Sequence, residues 1–169
     1  MKRVLVLVVF LVGLVFAKDI SLPVLNNGGA YLQVSINDKN ILFKDYPNKY
    51  VILEFFGYRC PTCYYETPHL KIMQKDNPFI KVVSVHMDEL AKERLDDYIF
   101  ENGINYPVVP FTYAYELDKF ARYVEPRWGG MIPFMMLINR QGRVINTFLG
   151  ITTEEDIMKS IKRDDVVFE

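Results

Sequence analysis

A chain of 169 residues with 20 basic and 21 acidic side chains, half of it hydrophobic, fits a single globular domain. The near-zero net charge argues against a nucleic-acid partner, which calls for a basic excess or stripe. Twelve Phe and eleven Tyr argue against disorder, and two cysteines are too few for a disulfide-stapled scaffold or a four-thiolate zinc site.

Lys2 and Arg3 head an uncharged run from Val4 to Ala17, shorter than the about 20 residues of a bilayer-spanning helix. Basic head, apolar core and small Ala17 predict a signal peptide over residues 1–17, followed by one domain over 18–169. The alternative is an uncleaved N-terminal membrane anchor. Either way the domain is expected to be periplasmic or otherwise extracytoplasmic, where disulfides persist.

Ile20 to Leu25 reads as a short strand ended by Asn27-Gly28-Gly29, and Tyr31–Ile36 with Asn40–Phe43 as a hairpin around Asn37-Asp38. Tyr50 to Phe56 is apolar on both faces except at Glu54, as a central covered strand would be. A helix should start near Cys60 and run toward Gln74, kinked or shortened by Pro68. Ile80 to Val85 is a second buried strand, after which Asp88 is expected to cap a helix through Ile99. Tyr106 to Val109 is extended, and Tyr115 to Tyr123 helical. Phe134–Asn139 and Arg143–Leu149 pair around Arg140-Gln141-Gly142, and a capping box of Thr152 and Glu155 opens a last helix through Ile161. The order predicts an α/β domain: a central mixed β-sheet with helices on both faces, plus an N-terminal β-hairpin extension. A right-handed crossover makes the Tyr50 and Ile80 strands parallel.

Both cysteines fall in Cys60-Pro61-Thr62-Cys63, directly after a buried strand and at a helix start. At the N-cap, Cys60 faces unpaired backbone N–H groups and the positive end of the helix dipole, which stabilise a thiolate. Pro61 suits the first helical position, where a missing N–H costs nothing. Cys63, one turn deeper, is placed to attack a mixed disulfide on Cys60. The expected roles are therefore Cys60 nucleophile and Cys63 resolving thiol, with this redox-active disulfide and no further cofactor or metal. A structural bridge closing so short a loop gains little chain entropy. A zinc site completed by His69 and His86 lacks the usual paired spacing.

Glu54, among apolar neighbours, would have a raised pKa if buried and could shuttle protons to the resolving thiol; the competing reading lets it escape to solvent at a sheet edge. Glu66 lies one turn past Cys63, a position that by itself favours a surface role.

The run Glu54-Phe55-Phe56-Gly57-Tyr58-Arg59-Cys60-Pro61-Thr62-Cys63, with Glu66, Pro68 and Leu70 behind it, resembles the active-site region of extracytoplasmic thioredoxin-like proteins of the TlpA/ResA type. Gly129-Gly130-Met131-Ile132-Pro133, the following Phe134–Ile138 and Gly142-Arg143-Val144 are similar to that family's cis-proline segment, strand and hairpin. The resemblance implies a thioredoxin-like fold and thiol–disulfide oxidoreductase activity. It makes Pro133 the cis-proline facing the disulfide, gives the Ile132 backbone a substrate peptide to pair with, and makes Glu66 a tuner of thiol acidity. Met131, beside the cis-proline, is then placed to touch substrate. The family usually has Trp where this chain has Arg59, a cation that would favour the Cys60 thiolate and attract acidic substrates.

The expected partners are substrate proteins with disulfides or dithiols, apocytochrome c among them by resemblance, and an upstream membrane thiol reductase; the chain is expected to be a monomer that binds no nucleic acid. Two alternatives stay open: a disulfide-donating oxidase or isomerase of DsbA-like activity, and a copper metallochaperone using Cys60, Cys63 and His86. Met135 and Met136, alternately placed in a strand, read as core.

Overall fold

All seven residues of β4, Tyr50–Phe56, are buried, as a strand covered on both faces must be. The computed structural model describes residues 17–26, 28–89 and 92–167. The expected signal peptide, apart from Ala17, lies outside the described residues, as do Asn27 of the first turn and residues 90–91.

Before β4, the strands β1 (Lys18–Pro23), β2 (Tyr31–Ile36) and β3 (Ile41–Phe43) form an antiparallel sheet in that order. Alternation places Leu32 and Val34 of β2 inward and Tyr31 and Gln33 outward. The expected hairpin is thus extended by one strand. The second sheet has the order β6-β5-β4-β7-β8, where β5 is Ile80–His86, β6 Val108–Pro110, β7 Phe134–Ile138 and β8 Val144–Leu149. β4, β5 and β6 run parallel, and β7 and β8 antiparallel to their neighbours. The two sheets are tied where the Ile41 N–H donates to the Gly142 carbonyl at 2.7 Å. Gly142 has φ +83°, and a Cβ there would lie 2.9 Å from the Ile41 carbonyl oxygen, so both turn and contact require glycine.

The pleat of β4 divides the core. Val51, Leu53 and Phe55 pack with the N-terminal sheet and with Leu117, Phe120 and Ala121 of α3 (Tyr115–Val124). Tyr50, Ile52 and Phe56 face α1 (Pro61–Asp76), α2 (Lys92–Glu101) and α4 (Glu154–Val167) through Cys63, Leu70, Tyr98 and Ile157. Each such side chain contributes about 1.5–3 kcal/mol on burial. By parity Glu54 lies on the face of Cys63. Among the described residues no helix is long and apolar enough to cross a membrane.

Two local expectations are corrected, and a third falls partly outside the described residues. Pro68 forfeits the bond its nitrogen would give the Tyr64 carbonyl, yet it does not shorten α1, which runs to Asp76. A buried stripe of Cys63, Glu66, Thr67, Leu70 and Met73 continues on both sides of it, and packing outweighs the lost bond. Asp88 lies before the described start of α2, and its carboxylate turns back to accept the Tyr58 N–H; residues 90–91, on which its expected role as a helix cap rests, lie outside the described ones. The cap of α4 sits one residue later than the expected Thr152–Glu155 box: Thr153 Oγ1 accepts the Asp156 N–H at 3.2 Å and donates to the Asp156 carboxylate at 2.6 Å. Thr152 is buried, and its N–H is taken by Glu66.

Candidate active site

Cys60 is the N-cap of α1, with φ −113° and ψ 98°, and its sulfur accepts the Cys63 N–H at 3.1 Å. Pro61 occupies the first turn without leaving a donor unmatched. The two cysteines are joined by a disulfide, Cα atoms 5.2 Å apart. Cys63 is fully buried and Cys60 only half-buried. Once the bridge is reduced, the exposed sulfur is the one that keeps an N–H donor and the helix N-terminus, both of which favour a thiolate.

Ile132 and Pro133 join through a cis peptide bond, and the Ile132 carbonyl oxygen stands 3.7 Å from Cys60 Sγ. Pro133 is buried, Ile132 half-buried and Met131 59% exposed. Gly57 makes this approach possible: a Cβ there would lie 2.6 Å from Ile132 Cδ1 and 2.8 Å from Asp88 Oδ2. Arg59 is exposed beside Cys60, next to the part-exposed Tyr58.

Glu54 does not reach solvent at a sheet edge; it is 0% exposed in the central strand. Ser84, its register partner in β5, donates a hydrogen bond to Oε2, while Oε1 has no partner among the described residues. Burial pushes the carboxyl up to about 8, the Ser84 bond opposing it and the Glu66 charge adding to it. The surface role that position alone suggests for Glu66 is also overturned, because Glu66 is fully buried. Its Oε2 accepts the Thr152 N–H at 3.2 Å and lies 3.8 Å from His69 Nδ1, and Oε1 has no partner among the described residues. Burial raises its pKa against the Thr152 bond and the His69 ring. Two buried carboxyls thus act on one another, one on the sheet and one on α1.

The His86 ring spends its contacts on Asp88: Nδ1 is 3.2 Å from the Asp88 carbonyl oxygen and Nε2 3.6 Å from Oδ2. Its edge meets Phe56 at 5.1 Å, and burial lowers its pKa. Met135 and Met136 lie in the core of β7. Among the described residues no three His, Cys, Asp or Glu side chains are grouped to hold a metal ion.

Sequence reasoning missed Ser84, the Asp88 anchor, the Thr152 amide and Trp128, whose indole Nε1 donates to the Met131 carbonyl at 2.7 Å. Of these only Trp128 left a trace, as the chain's single tryptophan directly before Gly129-Gly130.

A family model described as thioredoxin-like matches residues 48–144. The thiol-disulfide oxidoreductase ResA of Bacillus subtilis is 29% identical over 153 residues, 88% of this chain and 81% of that one. ResA of Halalkalibacterium halodurans is 26% identical over 134 residues, covering 75% and 70%. Among solved structures, a DsbF homologue from Corynebacterium diphtheriae superposes with TM-score 0.64 at 23% identity, over 87% of this chain and 85% of that one. StoA from Bacillus subtilis gives 0.61 at 20%, over 87% and 98%. These two structures agree on the fold.

Proposed function

The chain belongs to the thioredoxin-like family, among its TlpA/ResA-like members, and is a protein thiol–disulfide oxidoreductase; from that premise we propose that it works outside the cytoplasm as a reductant. The observation that best supports exchange through this pair is the asymmetry of the bridge, with Cys60 part-exposed at a helix N-terminus and Cys63 buried, and the potential of the couple decides the direction. A sulfur that a substrate can reach attacks, and one that only Cys60 can reach resolves.

In the reduced protein the Cys60 thiolate attacks one sulfur of a substrate disulfide, and the other sulfur leaves as a thiolate. Cys63 then loses its proton to Glu54 in the ionised form, which its raised pKa leaves as the minority at neutral pH, and attacks Cys60 Sγ. The second substrate sulfur departs, takes up a proton, and the Cys60–Cys63 bridge is restored. An upstream membrane dithiol reductase supplies two electrons for the next cycle. The Ile132 backbone pairs with the incoming substrate chain, and Met131 and Arg59, next to Ile132 and Cys60 in sequence, are exposed to meet it. Apocytochrome c, whose cysteines must be reduced before haem attachment, is the proposed substrate class, and the protein acts as a monomer.

The test is insulin reduction by the purified chain, with the potential of the couple read in glutathione buffers. Cys60→Ser should abolish turnover and Cys63→Ser should trap substrate as a mixed disulfide on Cys60. A potential near about −270 mV fits a reductant, and one near about −120 mV overturns the direction in favour of disulfide donation. A Cys60→Ser form with full turnover removes the nucleophile assignment.

A further inference from the structure

The segment that carries the cis-proline is held from below at both flanks. The Met131 carbonyl accepts the Trp128 indole N–H at 2.7 Å, and the Pro133 carbonyl accepts the Gly150 N–H at 2.9 Å. Between these two anchored carbonyls, that of Ile132 stands 3.7 Å from Cys60 Sγ.

Trp128 is itself fixed. It is 4% exposed, stacked on Phe134 at 4.4 Å and tilted against Phe55 of β4 at 4.8 Å. The Arg122 guanidinium lies over its ring at 5.1 Å and is held by Asp118 at 2.9 Å. Phe55 and Phe134 are register partners in adjacent strands, so the platform under the indole is the sheet itself. A phenylalanine ring would still offer an aromatic face to Phe134 and Phe55. The indole N–H is the one part of the side chain that core packing does not explain, and it is aimed at the loop.

We propose that Trp128 is a positioning residue for thiol–disulfide exchange: through the Met131 carbonyl its N–H sets the Gly129–Ile132 segment so that the Ile132 peptide unit meets a substrate chain at Cys60. This rests on the function proposed above. It assigns Trp128 to the docking of polypeptide substrates rather than to the sulfur chemistry, because the indole touches neither cysteine. A neutral hydrogen bond is worth about 0.5–1.5 kcal/mol net, which corresponds to roughly two- to tenfold in the loop equilibrium.

The experiment compares the full chain with Trp128→Phe, which keeps an aromatic ring on Phe55 and Phe134 and discards the donor. Amide hydrogen exchange should quicken two- to tenfold over Gly129–Ile132 and stay at the wild-type rate in β4 and α1. The KM for insulin should rise by a similar factor with kcat within twofold. Wild-type exchange over Gly129–Ile132, or an unchanged KM, overturns the assignment and leaves Trp128 as a core ring. Quickened exchange across β4 and α1 as well overturns it too, since the effect is then on global stability. A wild-type chain that exchanges disulfides with no substrate overturns the underlying function, which is distinguishable from an active wild type whose Trp128→Phe form behaves identically.

Discussion

The Asp88 carboxylate accepts the Tyr58 backbone N–H at 2.6 Å, so the end of β5 holds the loop that delivers Cys60 from β4. The same carboxylate oxygen stands 3.6 Å from His86 Nε2 and packs where Gly57 leaves room. Asp88→Ala should lower stability by about 1 kcal/mol, because the N–H it releases is exposed and water takes over part of the bond. Urea unfolding should show a lower midpoint at unchanged slope, with faster exchange of the Tyr58 amide. A variant with the wild-type midpoint and Tyr58 protection would mean that the loop is held by its other contacts.

Glu54 makes stability fall with rising pH. Its carboxyl titrates at 4.5 in the unfolded chain and at about 8 in the fold, so between those values the folded state binds a proton that the unfolded state has lost. Stability from this group is complete below the lower value and is lost as pH rises through the window, by at most about 5 kcal/mol. Glu54→Gln should abolish that loss: measured on the oxidised protein, the variant gains on the wild type as pH climbs from 4.5 to 8. Glu66 and His86 titrate in both chains and largely drop out of the difference. A difference constant across the window would show that Glu54 titrates as an ordinary carboxylate.

The parts of this molecule legible in the sequence are those fixed by pattern within one element. The unbroken apolar run around Glu54 marks a strand covered on both faces, and Cys60-Pro61 marks a helix start with a sulfur at its cap. The burial of Glu66 was not legible, because helical position alone does not show that the Thr152 amide, 86 residues on, closes over it. The same contact explains the displaced cap of α4: with the Thr152 N–H spent on Glu66, Thr153 becomes the N-cap. The Asp88 anchor was not legible either, because the Tyr58 N–H that its carboxylate takes lies 30 residues earlier in the chain. Each rests on a hydrogen bond between distant parts of the chain.

Glu66 should be felt at Glu54. The Glu66 charge is one of the causes that raise the Glu54 carboxyl, so Glu66→Gln, which keeps an acceptor for the Thr152 N–H, should shift the Glu54 titration downward. Carbon-13 NMR of the side-chain carboxyls follows this directly. Glu66→Ala should in addition cost about 1–3 kcal/mol, since the Thr152 donor is left buried without a partner. An unmoved Glu54 titration in Glu66→Gln would mean that the two carboxyls are electrically separate and that burial alone raises Glu54.

Arg59 bears on how fast Cys60 reacts. It is exposed, so its field reaches the neighbouring sulfur through water and is screened by salt. Arg59→Glu replaces a cation beside the nascent thiolate with an anion, and the reduced protein should react with iodoacetamide a few-fold more slowly at low ionic strength. At about 1 M salt, where the screening length falls to about 3 Å, the two proteins should converge. Arg59→Gln should fall between them, because it removes the attraction without adding repulsion. A rate difference that persists undiminished in high salt would show that residue 59 acts by shaping the loop rather than by its charge, and the attraction of acidic substrates to this edge of the site would then lose its basis.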